Sequence, residues 1–195
     1  MRMTWTCFSP GVFLDYYSPA TLAVNTKGKL ASSETLWPAG FTFIVDFDQQ
    51  FAEVPGNGDT GYIALTAADD VGGFVAAACT QLPLSQWPMG EWGICGGLYT
   101  PNEIVSIGKR VRGNIIPEDM AQLGSLQVEH ISSEALRSMY QNEDKADVAK
   151  AFHWQVLLAV LNNDLFVEHN AHGVRYEFQD LDTFLRKWWR QSNGS

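Results

Sequence analysis

The 195-residue sequence predicts an α+β fold: a mostly antiparallel N-terminal sheet followed by helices and a C-terminal β-hairpin plus helix. Three observations predict it. The first half is rich in short β-branched and aromatic runs separated by Gly, Pro and Asp turns. The second half carries helix-start signals and a helical apolar period. The repeated strand–helix alternation of a doubly wound parallel fold is missing from the first half. With 46% hydrophobic and 18% charged residues, the chain is globular rather than disordered. Its length suits a single domain over residues 1–195, with a possible subdivision into a β-rich 1–99 and a helix-rich 100–195.

Met3 to Phe8 reads as a strand ended by Ser9-Pro10-Gly11, and Gly40 to Phe47 (GFTFIVDF) as a second. Pro55 to Gly61 (PGNGDTG) is a turn by composition. Gly61 to Ala67 follows as a strand, broken by Ala68-Asp69-Asp70 with Gly72-Gly73, and Phe74 to Thr80 is short and apolar enough for a buried strand. Trp37-Pro38-Ala39-Gly40 recurs as Trp87-Pro88-Met89-Gly90, but the flanking residues do not match, so these are two Pro-Gly turns rather than a repeat.

Thr100-Pro101 opens a helix, with Thr as cap and Pro at the first helical position. Glu103 near its start and Lys109, Arg110 and Arg112 near its end, before Gly113, complement the helix dipole. Pro117 to Leu123 reads as a short helix and Ser125 to Ile131 as a strand, and Ser133 can cap a helix running to Gln141. Lys145 to Leu161 is the clearest helix, with Val148, Phe152, Val156 and Ala159 or Val160 on one stripe. Leu165 to His169 and Val174 to Phe178 make the expected hairpin. Asp180 caps a last helix with Phe184 and Trp188 on one face.

The formal net charge is −9, and it is uneven. Residues 1–108 hold 3 basic and 10 acidic side chains; residues 109–195 hold 10 and 12. A nucleic-acid role needs a basic face, so it is excluded, and the Lys109–Arg112 cluster has a structural explanation in the helix dipole. No apolar stretch is long enough to span a bilayer and no signal-peptide pattern is present. Three cysteines (Cys7, Cys79, Cys95) without a CxxC pair suit a reduced, cytoplasmic protein. No P-loop, no GxGxxG following a predicted strand, no HExxH and no EF-hand loop is found, so no cofactor is expected.

The candidate chemistry is sparse. Gly93-Ile94-Cys95-Gly96-Gly97 matches the glycine spacing of a nucleophile elbow, which needs small neighbours on a strained turn. These five residues resemble the nucleophile turn of class I glutamine amidotransferases, especially the cobyric acid synthase type. The resemblance implies a cysteine that attacks the glutamine amide, with a downstream histidine as base. His130 and His169 are then candidates beside Cys95. The preceding Gln86 to Trp92 holds Pro88 and Gly90, against the strand an elbow requires, and the next helix signal comes only at Thr100. No metal site is expected; His169 and His172 would be its ligands if there were one.

The acidic and aromatic residues suggest instead a surface that binds. Asp46 and Asp48 share a strand face, Asp69 and Asp70 lie in a turn, and Glu91 stands between Trp87 and Trp92. With Trp189 at a helix end, these form the expected binding surface. The leading expectation is an acidic protein-binding module, of the inhibitor or immunity type, that neutralises a basic protein partner by surface complementarity rather than by catalysis. The alternatives are a cysteine-dependent hydrolase or amidotransferase built on Cys95, and a phage or virion structural component.

Overall fold

The computed structural model describes residues 5–18, 43–47, 49–87, 89–113, 126–143 and 147–191. The α+β class holds: the described residues form five α-helices and eight short strands in three small sheets. The strands are β1 (Thr6–Ser9), β2 (Val12–Phe13), β3 (Val45–Asp46), β4 (Phe51–Pro55), β5 (Ile63–Thr66), β6 (Gly90–Gly93), β7 (Gly97–Tyr99) and β8 (Gln127–Ile131). The helices are α1 (Ala68–Gln81), α2 (Pro101–Gly113), α3 (Ser133–Asn142), α4 (Val148–Leu161) and α5 (Leu181–Gln191).

Pairing differs from the antiparallel sheet expected. Among the described strands, β1 runs parallel to β6, β2 to β5 and β4 to β8, while β3–β4 and β5–β7 are antiparallel. Each parallel pair joins strands far apart in sequence, as parallel pairing requires. Local turn signals do not reveal such long-range partners.

Helix α1 replaces both the predicted break at Ala68–Gly73 and the predicted strand at Phe74–Thr80. Asp70, Phe74 and Ala78 are its buried positions, a four-residue spacing that seats one face. Its first turn carries Asp69 and Asp70, and the Asp15 carboxylate accepts from the Ala68 N–H at 2.7 Å, which satisfies one of the donors a helix start leaves over. Gly73 is kept small by Tyr176, whose hydroxyl would lie 2.3 Å from an added Cβ.

The later helices form near where their signals lie. Thr100 and Glu103 close a reciprocal capping box at α2: the Thr100 N–H donates to Glu103 Oε2 at 2.8 Å, and the Glu103 N–H to Thr100 Oγ1 at 3.3 Å. Ser132, not Ser133, caps α3 by accepting from the Ala135 N–H. In α4 the buried positions are Leu157 and Val160, whereas Val148 is 72% exposed, so the stripe lies one step around from the one predicted. Asp180 caps α5 through the Thr183 N–H, and Leu181, Phe184 and Leu185 are buried. The helix expected at Pro117–Leu123 lies outside the described residues.

The C-terminal hairpin does not form. Residues 165–179 run as irregular extended chain, held to other elements rather than to each other. The Ala64 N–H donates to the Leu165 carbonyl, the Asn170 N–H to the Gly93 carbonyl, and the Gln81 side chain both accepts from the Arg175 N–H and donates to its carbonyl. Two apolar clusters result. The larger packs β3, β4 and β5 against α2, α4 and α5; the smaller is aromatic, built on Phe74, Trp92 and Ile94 with Phe8, Trp87, Tyr176 and Phe178 around them. Both draw residues from either side of residue 100. No helix among the described residues is long and apolar enough to cross a membrane.

Gly61 and Gly72 make a paired test. Gly61 has φ +81°, and an added Cβ would lie 2.0 Å from the Val160 carbonyl oxygen; Gly72 sits in exposed helix with open space around it. Gly61→Ala is expected to lower stability by about 3 kcal/mol through strain and overpacking. Gly72→Ala is expected to raise it by about 0.5–1 kcal/mol through helix propensity. Urea unfolding of the two variants checks both signs.

Candidate functional site

Three strand ends converge in this fold. β1 leads into Pro10, β5 ends at Thr66 and β6 leads into Ile94 and Cys95. Thr66 is fully buried; its hydroxyl donates to the Pro10 carbonyl at 2.8 Å and accepts from the Gly96 N–H at 3.2 Å. Open sheets with parallel strands bind ligands outside the carboxyl ends of those strands, and this is where the three ends meet.

Residues 93–97 close over this junction. A short strand, β6, does lead into Cys95 despite Gly90, but β7 leaves it, not a helix, so no nucleophile elbow is formed. The glycines have a packing reason: a Cβ on Gly93 would lie 2.1 Å from the Glu168 carbonyl oxygen, and one on Gly96 would lie 3.0 Å from that of Leu65. The Cys95 thiol donates to the Gly97 carbonyl at 3.1 Å. Burial pushes its pKa above the ordinary thiol value, only partly offset by hydrogen bonds with Gly97 and Leu65. At neutral pH it is therefore the inert thiol rather than the thiolate.

The structure brings His169 to Cys95, but to its backbone. The Cys95 N–H donates to His169 Nδ1 at 3.3 Å. The imidazole also meets Phe178 edge-on, with centroids 5.7 Å apart. Desolvation lowers the His169 pKa below its ordinary value, and His172 lowers it further. His130, the other candidate base, lies on β8 with Nδ1 3.2 Å from the Gly56 carbonyl oxygen. No group of three His, Cys, Asp or Glu residues among those described could hold a metal ion, His169 and His172 included.

The expected binding surface does not assemble. Trp92 is 3% exposed, and Trp87 is half-buried; both rings pack with Phe8 in the aromatic cluster. Asp70 is not a turn residue but a buried acceptor, 4% exposed, which takes bonds from the Tyr176 hydroxyl at 3.1 Å and the Gln179 N–H at 2.8 Å. Asp69 is exposed in the first turn of α1. Glu91 is exposed and accepts from the Ser9 hydroxyl on the neighbouring strand. Asp46 accepts from the Gln49 N–H in a different sheet. Asp48 and the Trp189 side chain lie outside the described residues.

The role of Asp15 at the start of α1 is not legible in the sequence. Burial pushes its pKa up against the hydrogen bond from the Ala68 N–H, and the charges of Asp69 and Asp70 push it further. The start of α1 is thus capped by the Asp15 carboxylate, with Asp69 and Asp70 in the same first turn. A second omission is Gly56-Asn57-Gly58-Asp59-Thr60-Gly61, which has GxGxxG spacing and does follow a strand, β4. It leads into β5, not into a helix, and its glycines take positive φ at positions 56, 58 and 61. Asn102 clamps it, donating from Nδ2 to the Asn57 carbonyl and to Asp59 Oδ1, and from its backbone N–H to the Gly58 carbonyl. The loop is a packed turn, with the Asn102 N–H of the α2 start already used.

No family model matches the chain, and no curated protein matches it in sequence. Solved structures do share its fold. A nucleoside-diphosphate-sugar epimerase from Staphylococcus aureus overlaps 94% of this chain and 52% of its own, with TM-score 0.57 and 14% identity. An isoflavone reductase overlaps 93% and 51%, with TM-score 0.52 and 13% identity. A leucoanthocyanidin reductase from Vitis vinifera overlaps 95% and 54%, with TM-score 0.53 and 12% identity. The chain spans about half the length of these structures. Their likeness corrects the expectation of an acidic inhibitor or immunity-type module, because the fold is one seen in reductases and an epimerase.

The cysteines give a direct test of the site. Cys7 and Cys79 are exposed, whereas Cys95 is half-buried with its pKa raised. Alkylation of the native protein by iodoacetamide, mapped by mass spectrometry, is expected to label Cys7 and Cys79 first. Cys95 should follow slowly, gaining rate only as pH rises through the alkaline range. Fast labelling of Cys95 below pH 7 would contradict the assignment of an inert thiol.

Proposed function

We propose that this chain forms the substrate-binding side of a reductase- or epimerase-type oxidoreductase, with its site at the carboxyl ends of β1, β5 and β6. The observation that carries this reading is the overlap of 94% of the chain with about half of an epimerase of that fold. The convergence of the parallel strand ends on Thr66 and Cys95 supports where the ligand goes.

One leucoanthocyanidin reductase structure of this fold, overlapping with TM-score 0.50, is a binary complex with NADPH. The described residues of this chain do not fit such a dinucleotide. A dinucleotide's pyrophosphate seeks free N–H groups at a helix start that follows a strand. At α1 that position is held by Asp15, beside Asp69 and Asp70, and a pyrophosphate there would face three carboxylates. The glycine loop at 56–61 opens into a strand and is filled by Asn102. The chain's own residues therefore bind and orient a substrate, and the dinucleotide phosphates are held elsewhere in the functional assembly.

Hydrogen–deuterium exchange tests this division. A panel of small carbonyl compounds and alcohols is expected to protect residues 66–70, 94–97 and 168–178, while NADPH leaves exchange unchanged. Micromolar NADPH binding with protection of residues 56–61 or of the start of α1 would overturn the assignment, as would a panel with no binder.

A further inference from the structure

The strand-end junction has one polar group that nothing in the fold uses up. His169 accepts the Cys95 N–H at Nδ1, so its neutral ring carries the proton on Nε2. The histidine is exposed, and its Nε2 has no hydrogen-bond partner among the described residues. A structural acceptor for the Cys95 N–H needs only an oxygen. An imidazole adds a second nitrogen, and that one is left unengaged.

The ring is held in place from several sides. Phe178 packs against it edge-on. The next residue, Asn170, is pinned to β6 and its strand neighbours: its N–H donates to the Gly93 carbonyl at 3.2 Å, its Oδ1 accepts from the Gly93 N–H at 2.8 Å, and its carbonyl accepts from Trp92 Nε1 at 3.3 Å. A donor fixed this way loses little freedom when a ligand arrives. Burial of part of the ring and the nearby His172 keep His169 neutral around pH 7.

Charge and surface select the ligand. Phe178 continues into Tyr176 and Phe74, so the imidazole stands at the rim of an aromatic cluster. Carboxylates stand at the far end of this rim: Asp70 holds Tyr176 and Gln179 on either side of Phe178, with Asp69 and Asp15 at the same helix start. An anionic ligand would be repelled; an uncharged one would not. Apolar surface with one fixed donor suits a planar molecule with one acceptor oxygen.

We propose that His169 is the polar anchor of this site, donating its Nε2–H to the carbonyl oxygen of an uncharged, planar small molecule whose body lies against the Phe178–Tyr176 rim. This rests on the substrate-side reading above and names the ligand class it takes.

The test uses the full chain, with acetophenone as the uncharged carbonyl probe and uridine diphosphate as the anionic one. Histidine side-chain nitrogens are followed by NMR during each titration. Acetophenone is expected to shift the His169 Nε2 signal, and uridine diphosphate to leave it unmoved. His169→Asn keeps an acceptor for the Cys95 N–H but removes the Nε2 donor; it should weaken acetophenone binding about tenfold without moving Tm. His169→Gln, which can place an amide N–H near the Nε2 position, should recover most of the loss. Equal acetophenone binding by wild type and His169→Asn overturns the anchor while leaving the substrate-side reading intact. No acetophenone binding up to about 20 mM overturns the ligand class, as does tighter binding of uridine diphosphate. NADPH binding bears only on the substrate-side reading.

Discussion

One buried hydroxyl, that of Thr66, fixes the relation between two otherwise separate ladders. The β1–β6 pair and the β2–β5–β7 sheet share no strand. Where the strands end, the Pro10 carbonyl and the Gly96 N–H are left beyond their ladders, and Thr66 answers both. An unpaired backbone group costs about 1–3 kcal/mol when buried, so the two bonds decide whether these ends can be packed without water. With them made, the chain can turn at Gly11 and at Cys95 in close contact, and the strand ends form one surface. Everything attributed to the site depends on that closure, including the position of Cys95 and hence of the imidazole that accepts its N–H.

The acidic composition takes on a different meaning once placed. Read as surface, the carboxylates of the first half suggest attraction to a basic partner. In the fold, Asp15 and Asp70 are acceptors inside the structure: one satisfies the start of α1, and the other ties Tyr176 and Gln179 to that same turn. Their charge is spent on helix donors and on holding the extended segment 174–179. The same carboxylates set what can bind nearby. A helix start is ordinarily attractive to phosphate, and three acids there remove that attraction. Composition alone cannot separate a solvated carboxylate from a structural one, because the distinction lies in what donates to it.

Much of the second half was legible because its signals are local. Thr100-Pro101-x-Glu103 and Asp180 mark helix starts through bonds made within three residues. The first half was not legible for the opposite reason. Its parallel pairings join residues 50 or more positions apart, such as Val12 with Leu65 and Thr6 with Gly90. Helix α1 was hidden by Gly72-Gly73 and an Ala-rich run whose apolar period is faint, and its stability comes from packing Phe74 into the aromatic cluster. The GICGG motif drew attention for its cysteine, yet the group left unengaged there is a histidine from 74 residues further on. That the two meet could not be read from spacing.

Residues 165–179 read in sequence as two strands because they alternate and contain Val, Tyr and Phe. They do not pair as a hairpin because their backbone bonds are taken by β5, β6 and side chains of α1: the Leu165 carbonyl by Ala64, Asn170 by Gly93, Arg175 by Gln81, Gln179 by Asp70. A segment held in this way lacks a ladder partner of its own and follows the contour beneath it. It can place individual side chains at positions a regular pleat would not allow, while Leu165, Asn170, Arg175 and Gln179 anchor its backbone. His169 and Phe178, nine positions apart along this segment, meet at 5.7 Å because both lie over the same strand ends. The scaffold is regular where parallel strands set the floor, and irregular only in the strip of chain that supplies the imidazole and the aromatic rim.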